Sequence, residues 1–168
     1  IIILDGDQTG QELLEEALRV LREDVIRYPL EFLRFDLSLE NRRATNNKVV
    51  YEAGKAIRDY RVGLKAATIT PENRGDVGSP NAILREEMDA EIILRTGRRI
   101  PGVRPVGGIY APISIVRMAR DDAYGAREWR EGEAGSAGEY AFRTEKISRW
   151  VCRAVAEFAF QHAQTNRA

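Results

Sequence analysis

The sequence predicts an α/β fold, an open sheet with flanking helices. Apolar or alternating stretches typical of strands take turns with segments whose apolar residues recur at helical spacing. Strand, helix, strand order favours parallel pairing with helices on both faces of the sheet. At 168 residues and 43% apolar, the chain is long enough for one domain with a core and short for two. We therefore expect residues 1–168 to form a single α/β unit.

The first half of the chain alternates strands and helices. The helix after the first strand shows one apolar face, with Glu and Arg on the other. LEFLRFD alternates every second residue, as a half-buried strand does, and VGLKAATI is the apolar run of a buried strand. The expected elements are a strand from Ile1 to Leu4, a helix from Gln11 to about Arg22, a strand from Leu30, a helix from Asn47 to Tyr60 and a strand from Val62.

The second half continues the same alternation. REGEAGSAGEY, residues 130–140, is small, polar and glycine-rich and predicts a mobile surface loop. Within GGIYAPISIVRM, Pro112 predicts a bulge or an edge position, because proline cannot donate to a neighbouring strand. The expected elements are a short helix from Asn81 to Ala90, a strand EIILR from Glu91, the longer strand from Gly107 and a helix from Glu145 to His162.

Composition excludes several classes of protein. The 26 Lys and Arg residues balance 26 Asp and Glu, so no global field favours nucleic acid or an anionic membrane, and an anion site must be local. No apolar run approaches the roughly 18 residues of a membrane span. The single cysteine, Cys152, excludes an internal disulfide framework and fits a cytoplasmic protein. We expect the Cys152 side chain to be buried and to serve only in packing. With His162 as the only histidine, we expect neither a histidine-rich metal site nor a Ser/His triad, and we expect His162 to be structural.

The opening stretch IIILDGDQTG allows two interpretations. In the first, Asp5 is an exposed nucleophile and Asp7 its acid/base partner, an arrangement that resembles haloacid-dehalogenase-type phosphatases. That chemistry also needs a later hydroxyl, a lysine and paired acids, for which the chain offers Thr68, Lys146 and Asp121 with Asp122. In the second, the strand leads through a turn into a helix and shapes a cofactor cleft. A calcium loop is excluded because the alternating ligands are missing.

The stretch SPNAILR predicts an anion site at a helix N-terminus. Ser79 and Pro80 are a typical helix start, and Arg85 lies on the face of Asn81 one turn later. The alternative is a capped surface helix with no ligand. Arg95 and Arg117 end the two following strands, and parallel strands would bring such ends to one edge of the sheet. Clustered arginines repel one another unless an acidic ligand lies between them, so the pattern favours a polycarboxylate.

Four stretches in order carry a resemblance to a known family. They are ITP from Ile69 to Pro71, SPNAILR from Ser79 to Arg85, ILR from Ile93 to Arg95 and VRMARDDAYGAREW from Val116 to Trp129. Their order and spacing resemble the isocitrate/isopropylmalate dehydrogenase family, in particular its isocitrate branch. The correspondence runs from Ile1 to about Gln164 and covers the N-terminal half of the family fold. It favours the cofactor-cleft interpretation of the opening stretch.

The resemblance implies roles for individual residues. The residues matching those that bind substrate carboxylates and hydroxyl are Ser79, Asn81, Arg85, Arg95 and Arg117. Tyr124 matches the tyrosine that acts in proton transfer, and Thr70 a threonine near the nicotinamide. Two departures stand out: Gln8 replaces a glycine of the family's opening turn, and Arg120 replaces an uncharged residue.

The family's cofactors are NAD or NADP and Mg²⁺ or Mn²⁺. The resemblance implies that the metal-binding aspartates and a catalytic lysine come from the second half of the family's chain, which this sequence lacks. Because the sequence begins inside a strand without a methionine, we expect a piece of a longer protein. We also expect a homodimer or a complex with another subunit, and no nucleic acid or membrane partner.

Three functional hypotheses remain open from the sequence. The first is NAD(P)-dependent oxidative decarboxylation of a 2-hydroxy polycarboxylate, performed once the missing half completes the enzyme. The second is a stand-alone truncated homologue that binds an acidic ligand or a partner without turnover. The third is metal-free acid/base chemistry by Tyr124 with Lys65 or Asp122. Neither the choice between NAD and NADP nor the identity of the hydroxy acid follows from these residues.

Overall fold

The computed structural model describes residues 1–73, 75–121 and 126–166, and it confirms an α/β fold. Contacts divide the chain into a first unit, Ile1–Asp89, and a second unit, Ala90–Ala168; a single domain over the whole chain stays a prediction. The elements are β1 Ile2–Asp5, α1 Gln8–Val20, α2 Glu23–Ile26, β2 Leu33–Asp36, α3 Leu39–Ala44, α4 Lys48–Tyr60, β3 Gly63–Lys65, α5 Pro80–Glu87, β4 Ile92–Gly97, β5 Ile113–Met118, β6 Glu128–Glu131, β7 Tyr140–Arg143 and α6 Arg149–Asn166.

A three-stranded parallel sheet of order β2-β1-β3 organises the first unit. Ile2 lies between Leu33 of β2 and Gly63 of β3, so β1 is the central strand. Its residues Ile2, Ile3 and Leu4 are at most 1% exposed. A strand covered on both faces is uniformly apolar, which is why the opening run of the sequence shows no alternation.

Two hydrophobic clusters cover the two faces of this sheet. The larger one joins β1 to α4 and α5 and consists of Ile2, Leu4, Leu37, Val49, Val50, Ala53 and Leu84. The smaller one lies against α1 and consists of Ile3, Leu14 and Ala66. Alternate residues of β1 therefore enter opposite clusters, as the pleat of a strand requires.

Two elements of the first unit differ from expectation. The helix expected from Asn47 is preceded by a separate helix, α3, and the two are divided by Asn46 and Asn47 at φ 47° and 62°. Asparagine tolerates this left-handed conformation better than most residues, which is why the chain can turn here. The strand expected from Val62 is also shorter, because β3 ends at Lys65 and the chain leaves the sheet there.

The second unit contains antiparallel strands. β4 pairs with β5 in a register that joins Ile92 to Met118 and Gly97 to Ile113. The expectation that these strands run parallel is therefore wrong, because the connection of residues 98–112 returns the chain beside β4 without a helical crossover. The longer strand expected from Gly107 begins only at Ile113, directly after Pro112.

A two-stranded antiparallel hairpin, β6-β7, replaces part of the expected mobile loop. Arg130 and Glu131 belong to β6 and Tyr140 to β7, so residues 130–140 are not all loop. Trp129 lies opposite Phe142, and their rings stack with centroids 4.9 Å apart. Such cross-strand aromatic pairs stabilise a hairpin. The two rings are 13 positions apart in sequence, so the local composition of residues 130–140 did not indicate that they pair.

The remaining composition-based expectations have different outcomes. Cys152 is exposed on α6, so the expectation of a buried packing residue is wrong. His162 Nε2 lies 3.0 Å from the hydroxyl of Ser114, and its ring stacks on Phe158, contacts in keeping with a structural role. In the parts of the chain that the structure describes, no helix has both the length and the apolarity needed to cross a membrane.

Candidate functional site

Asp5 ends β1 and Asp7 follows it at the edge where the parallel strands end, and both carboxylates accept hydrogen bonds. Asp5 accepts hydrogen bonds from Gln11 Nε2 at 2.9 Å and from Arg34 Nη2 at 2.6 Å. The oxygens of Asp7 accept from the backbone N–H groups of Leu39 and Ile69, each at 2.9 Å. The phosphatase interpretation is therefore wrong, because it requires Asp5 to be a free nucleophile and Asp7 a free acid/base.

Other residues invoked for the phosphatase have structural partners as well. Thr68 Oγ1 accepts from Lys65 Nζ at 3.0 Å, and Asp121 Oδ2 accepts from the backbone N–H of Ser148 at 3.1 Å, next to the start of α6. Asp122 lies outside the described residues. Thr68 and Asp121 thus have structural partners, and Lys146 is exposed.

The turn after β1 packs directly on the chain that leaves β3. Asp7 N donates to Ala67 O at 3.0 Å, and a Cβ added to Gly6 would lie 2.1 Å from that same oxygen. A Cβ added to Gly10 would lie 2.7 Å from both the Cβ and the carbonyl oxygen of Ala67. Gln8, which replaces the family's glycine, adopts φ 47°. This close approach fixes the C-terminal edge of β1 against that of β3.

Positive charges from three elements converge at this edge. Lys65, the last residue of β3, donates from Nζ to Ala66 O at 2.8 Å and to Thr68. The pKa of Lys65 is lowered to about 8, mainly by burial and then by the positive charges of Arg42 on α3 and Arg85 on α5, while the carboxylate of Asp7 opposes the shift. An anion bound here would therefore meet the positive charges of three side chains.

The N-terminus of α5 supplies further groups for an anion. Ser79 is the N-cap residue and Pro80 the first helical residue, as expected. The Ser79 side chain makes no capping hydrogen bond, so the expectation that its hydroxyl caps the helix is wrong. Asn81 and Arg85 follow on the same face and are half-buried. A hydroxyl, an amide and a guanidinium at the positive end of a helix dipole suit a carboxylate.

Arg95 and Arg117 lie in the second unit, on the paired strands β4 and β5. Arg95 is opposite Ile115, and Arg117 is opposite Ile93, so the two arginines are diagonal neighbours on one face. Arg95 is exposed and Arg117 half-buried. They come close through antiparallel pairing, not because parallel strands end together. That these two arginines bind the same ligand as Ser79, Asn81 and Arg85 stays a prediction.

Thr70 and Tyr124 are the remaining predicted site residues, and the structure describes only Thr70. Thr70 is exposed, one position after Ile69, in the segment between β3 and α5. Tyr124 lies outside the described residues. Within residues 1–73, 75–121 and 126–166, no group of three or more His, Cys, Asp or Glu side chains is arranged to hold a metal ion.

Arg42 and Lys65 are the residues of this edge that sequence reasoning undervalued. Lys65 entered only as a partner for acid/base chemistry, and Arg42 not at all. The sequence indicated a role for Lys65 only weakly. Lys65 is a lysine within the apolar run VGLKAATI, and charged residues are rarely found inside a buried strand unless they have a partner. Arg42 lies in the polar segment LENRRATNN, where nothing distinguishes it from Arg43.

Comparison with known proteins gives one consistent result. A family model described as isocitrate/isopropylmalate dehydrogenase matches residues 1–168. The mitochondrial NADP isocitrate dehydrogenase of Saccharomyces cerevisiae is 31% identical over 137 residues, which cover 76% of this chain and 31% of that protein. The NADP isocitrate dehydrogenase of Sphingobium yanoikuyae is 30% identical over 145 residues, covering 81% of this chain and 35% of that protein.

A solved structure shares the fold. The isocitrate dehydrogenase of Ostreococcus tauri, crystallised with isocitrate and magnesium, superposes with a TM-score of 0.74 over 96% of this chain and 47% of its own, at 24% identity. The chain thus spans about a third of the length of its curated relatives and about half of this structure. The expectation of a partial isocitrate/isopropylmalate dehydrogenase-like fold is confirmed.

Proposed function

The chain belongs to the isocitrate/isopropylmalate dehydrogenase family, and we propose that it forms the N-terminal, substrate-binding part of an NADP-dependent isocitrate dehydrogenase-type enzyme. The proposal covers binding of a 2-hydroxy polycarboxylate such as isocitrate by this chain. Oxidation and decarboxylation belong to the enzyme that a second half would complete. Relatives named as NADP isocitrate dehydrogenases support the choice of cofactor.

The observation that carries the proposal is the cationic edge of the first unit. The positive charges of Arg42 and Arg85 act on Lys65 there, while the Ser79 hydroxyl at the start of α5 is not used as a cap. A half-buried lysine kept near other cations is costly unless its charge serves a ligand. An anion with several carboxylates would offset that cost.

Each site residue has a proposed role. Ser79, Asn81 and Arg85 bind substrate groups at the start of α5, and Arg95 and Arg117 bind carboxylates from the strands β4 and β5. Thr70 contacts the nicotinamide end of the cofactor. Tyr124 transfers a proton to the enol left after carbon dioxide departs. These assignments rest on the match to the family's motifs.

The metal does not fit the described residues, because they contain no suitable cluster of ligands. A bound dinucleotide would supply the acceptor for a hydride from the substrate's hydroxyl carbon, and Thr70 would contact its nicotinamide end. We further propose a homodimer and a cytoplasmic location, the latter in keeping with the single cysteine.

A second candidate function is favoured by one observation. Lys65 has a pKa of about 8, close to the range useful for proton transfer at neutral pH. Metal-free acid/base chemistry on an acidic substrate, with Tyr124 or Asp122 as the partner, would use it. A truncated homologue that binds an acidic ligand or partner without turnover would use the same edge.

Calorimetric titration of the purified chain with isocitrate, with and without Mg²⁺, tests the proposal. We expect binding that Arg85→Gln weakens about tenfold or more, because a charge-assisted hydrogen bond of roughly 1.5–3 kcal/mol is lost. Arg58→Gln, on the exposed surface of α4, is the control and should leave the affinity unchanged. Metal-independent binding would favour the stand-alone binding candidate. No heat of binding, or equal affinity in the Arg85 variant, would refute the proposed site.

Oligomeric state and turnover separate the remaining candidates. Light scattering on the eluting protein should give twice the 19.0 kDa mass of the chain if it forms a homodimer. Proton exchange at the carbon next to a carboxylate, followed by NMR without added metal or dinucleotide, would support the acid/base candidate. Its absence would remove that candidate.

A further inference from the structure

Arg42 is a wholly buried cation that binds backbone and not carboxylates. Its side chain is 0% exposed. Nε donates to Leu37 O at 3.0 Å, Nη1 to Gly78 O at 3.1 Å and Nη2 to Ile69 O at 2.5 Å. The Leu37 carbonyl lies directly after β2, and those of Ile69 and Gly78 lie near the two ends of a single connection. One guanidinium therefore joins the end of β2, the start of the β3–α5 connection (residues 66–79) and the end of that connection.

Burial lowers the pKa of Arg42, and the negative charge of Asp7 opposes this effect. Among the residues that the structure describes, no carboxylate forms an ion pair with its guanidinium. A charge is rarely buried unless hydrogen bonds compensate it, and the hydrogen bonds of Arg42 go to backbone carbonyls. Arg42 Nε, Nη1 and Nη2 thus all donate hydrogen bonds to backbone carbonyls.

Neighbouring residues hold the same two ends of the connection. Asp7 accepts from Ile69 N at 2.9 Å, so both backbone polar groups of Ile69 are bound. Asn47 Nδ2 donates to Val77 O at 2.7 Å, and Asn47 N donates to Arg42 O at 2.8 Å. The residues thus held stand directly beside those assigned to the ligand: Ile69 lies between Thr68 and Thr70, and Gly78 precedes Ser79.

We propose that Arg42 is a positioning residue that fixes both ends of the β3–α5 connection, so that Ser79, assigned to the anionic substrate, and Thr70, assigned to the cofactor, are in place before the ligand arrives. Arg42 does not contact the ligand. Its contribution is preorganisation, because groups already in place lose less freedom on binding. The ligand part of this inference rests on the proposed function, whereas the positioning part does not.

Lysine cannot replace Arg42 in this role, although it keeps the charge. The guanidinium directs donors from a rigid planar fork, and three carbonyls in different directions use Nε, Nη1 and Nη2. A lysine ammonium is a single point on a flexible stem and cannot span them. Arg42→Lys therefore separates geometry from charge, and Arg42→Gln removes both.

The test compares Arg42→Lys and Arg42→Gln with Arg34→Lys in the full 168-residue chain. Arg34 is a matched control, because it bonds to the carboxylates of Asp5 and Glu15 and to no backbone segment of the connection. Hydrogen exchange followed by mass spectrometry reports on peptides covering residues 66–79. We expect exchange there to accelerate about tenfold or more in both Arg42 variants, with α1 and α4 unchanged, and no local change in Arg34→Lys.

Isocitrate affinity is the second readout. We expect Arg42→Lys to weaken isocitrate binding about tenfold with no loss of net charge, which a residue that acted only through its charge would not do. Unchanged hydrogen exchange over residues 66–79 in the Arg42 variants overturns the inference. Equal acceleration of exchange across the whole first unit, or unfolding of both variants, also overturns it, because Arg42 would then stabilise the fold in general. If the unmodified chain binds no isocitrate, the proposed function fails, and the exchange result alone still decides the positioning role.

Discussion

Asp7 Oδ2 accepts a hydrogen bond from the backbone N–H of Ile69 at 2.9 Å, across 62 positions of sequence. The other oxygen of Asp7 accepts from Leu39 N, at the start of α3. One carboxylate thus joins the ends of all three parallel strands, since it follows β1 itself. Asp7, which could be mistaken for a catalytic acid, is a structural acceptor.

Asp7→Asn should lower the free energy of unfolding by about 1–3 kcal/mol, because an amide offers one acceptor oxygen where two half-buried N–H groups need one each. Denaturant unfolding measures this. Asp36→Asn is the control: Asp36 Oδ1 accepts only from Ser38 N at an exposed turn, and an amide oxygen can keep that bond. Equal loss in both variants would contradict the double-acceptor role of Asp7.

Gln8→Gly should stabilise the chain by about 0.5–1 kcal/mol. Gln8 has φ 47°, a left-handed conformation that costs a residue with a Cβ about 1–2 kcal/mol, and the greater freedom of glycine in the unfolded chain removes part of the gain. Gln8→Ala keeps the Cβ and should give no such gain. If the alanine variant were as stable as the glycine variant in urea, backbone strain would not be the cause.

Gly10→Ala should be destabilising by about 1–3 kcal/mol, although alanine is the better helix former. The new Cβ would lie 2.7 Å from Ala67 Cβ and Ala67 O, and one of these contacts is with backbone that cannot rotate away. Gly75→Ala serves as the control, because nothing lies within 4 Å of its added Cβ. Thermal unfolding of the two variants distinguishes a steric effect from a general glycine effect.

The stability that Lys65 confers should depend on pH. Its folded pKa is about 8, against 10.5 for an unperturbed lysine, so between these values the unfolded chain binds more protons. Stability relative to Lys65→Met should therefore rise as the pH goes from about 8 to about 10.5, by at most about 3 kcal/mol. Urea unfolding at both ends of this range measures the difference.

Lys55→Met controls for the loss of any lysine, because the Lys55 side chain is exposed on α4. The difference in free energy of unfolding between Lys55→Met and the parent chain should stay constant over the same pH range. If the difference for Lys65→Met were also constant, Lys65 would not lie half-buried among positive charges.

Several elements were predictable because their cause is local. β1 follows from an uninterrupted apolar run, α1 and α4 from helical spacing of apolar residues, and the start of α5 from Ser79 and Pro80. The family motifs also lie in short contiguous stretches, and they identified the family that the whole-chain match confirms. Each of these patterns can be recognised without knowing which segments meet.

The errors concern segments that meet only after folding. The direction of β5 against β4 depends on how residues 98–112 return, and the β6-β7 hairpin depends on Trp129 meeting Phe142. The sequence does not distinguish Arg42 from Arg43, yet one is wholly buried against three carbonyls and the other forms a surface ion pair with Asp76.

The sequence by itself determined the α/β class, the central strand, the main helices and the family, since periodicity and contiguous motifs are properties of neighbouring residues. Only the tertiary structure decided that Asp5 and Asp7 are structural, that Lys65 lies among the charges of Arg42 and Arg85, and that Arg42 holds the β3–α5 connection. Hydrogen bonds and desolvation depend on distances between residues tens of positions apart, and those distances exist only once β1, β2 and β3 are paired.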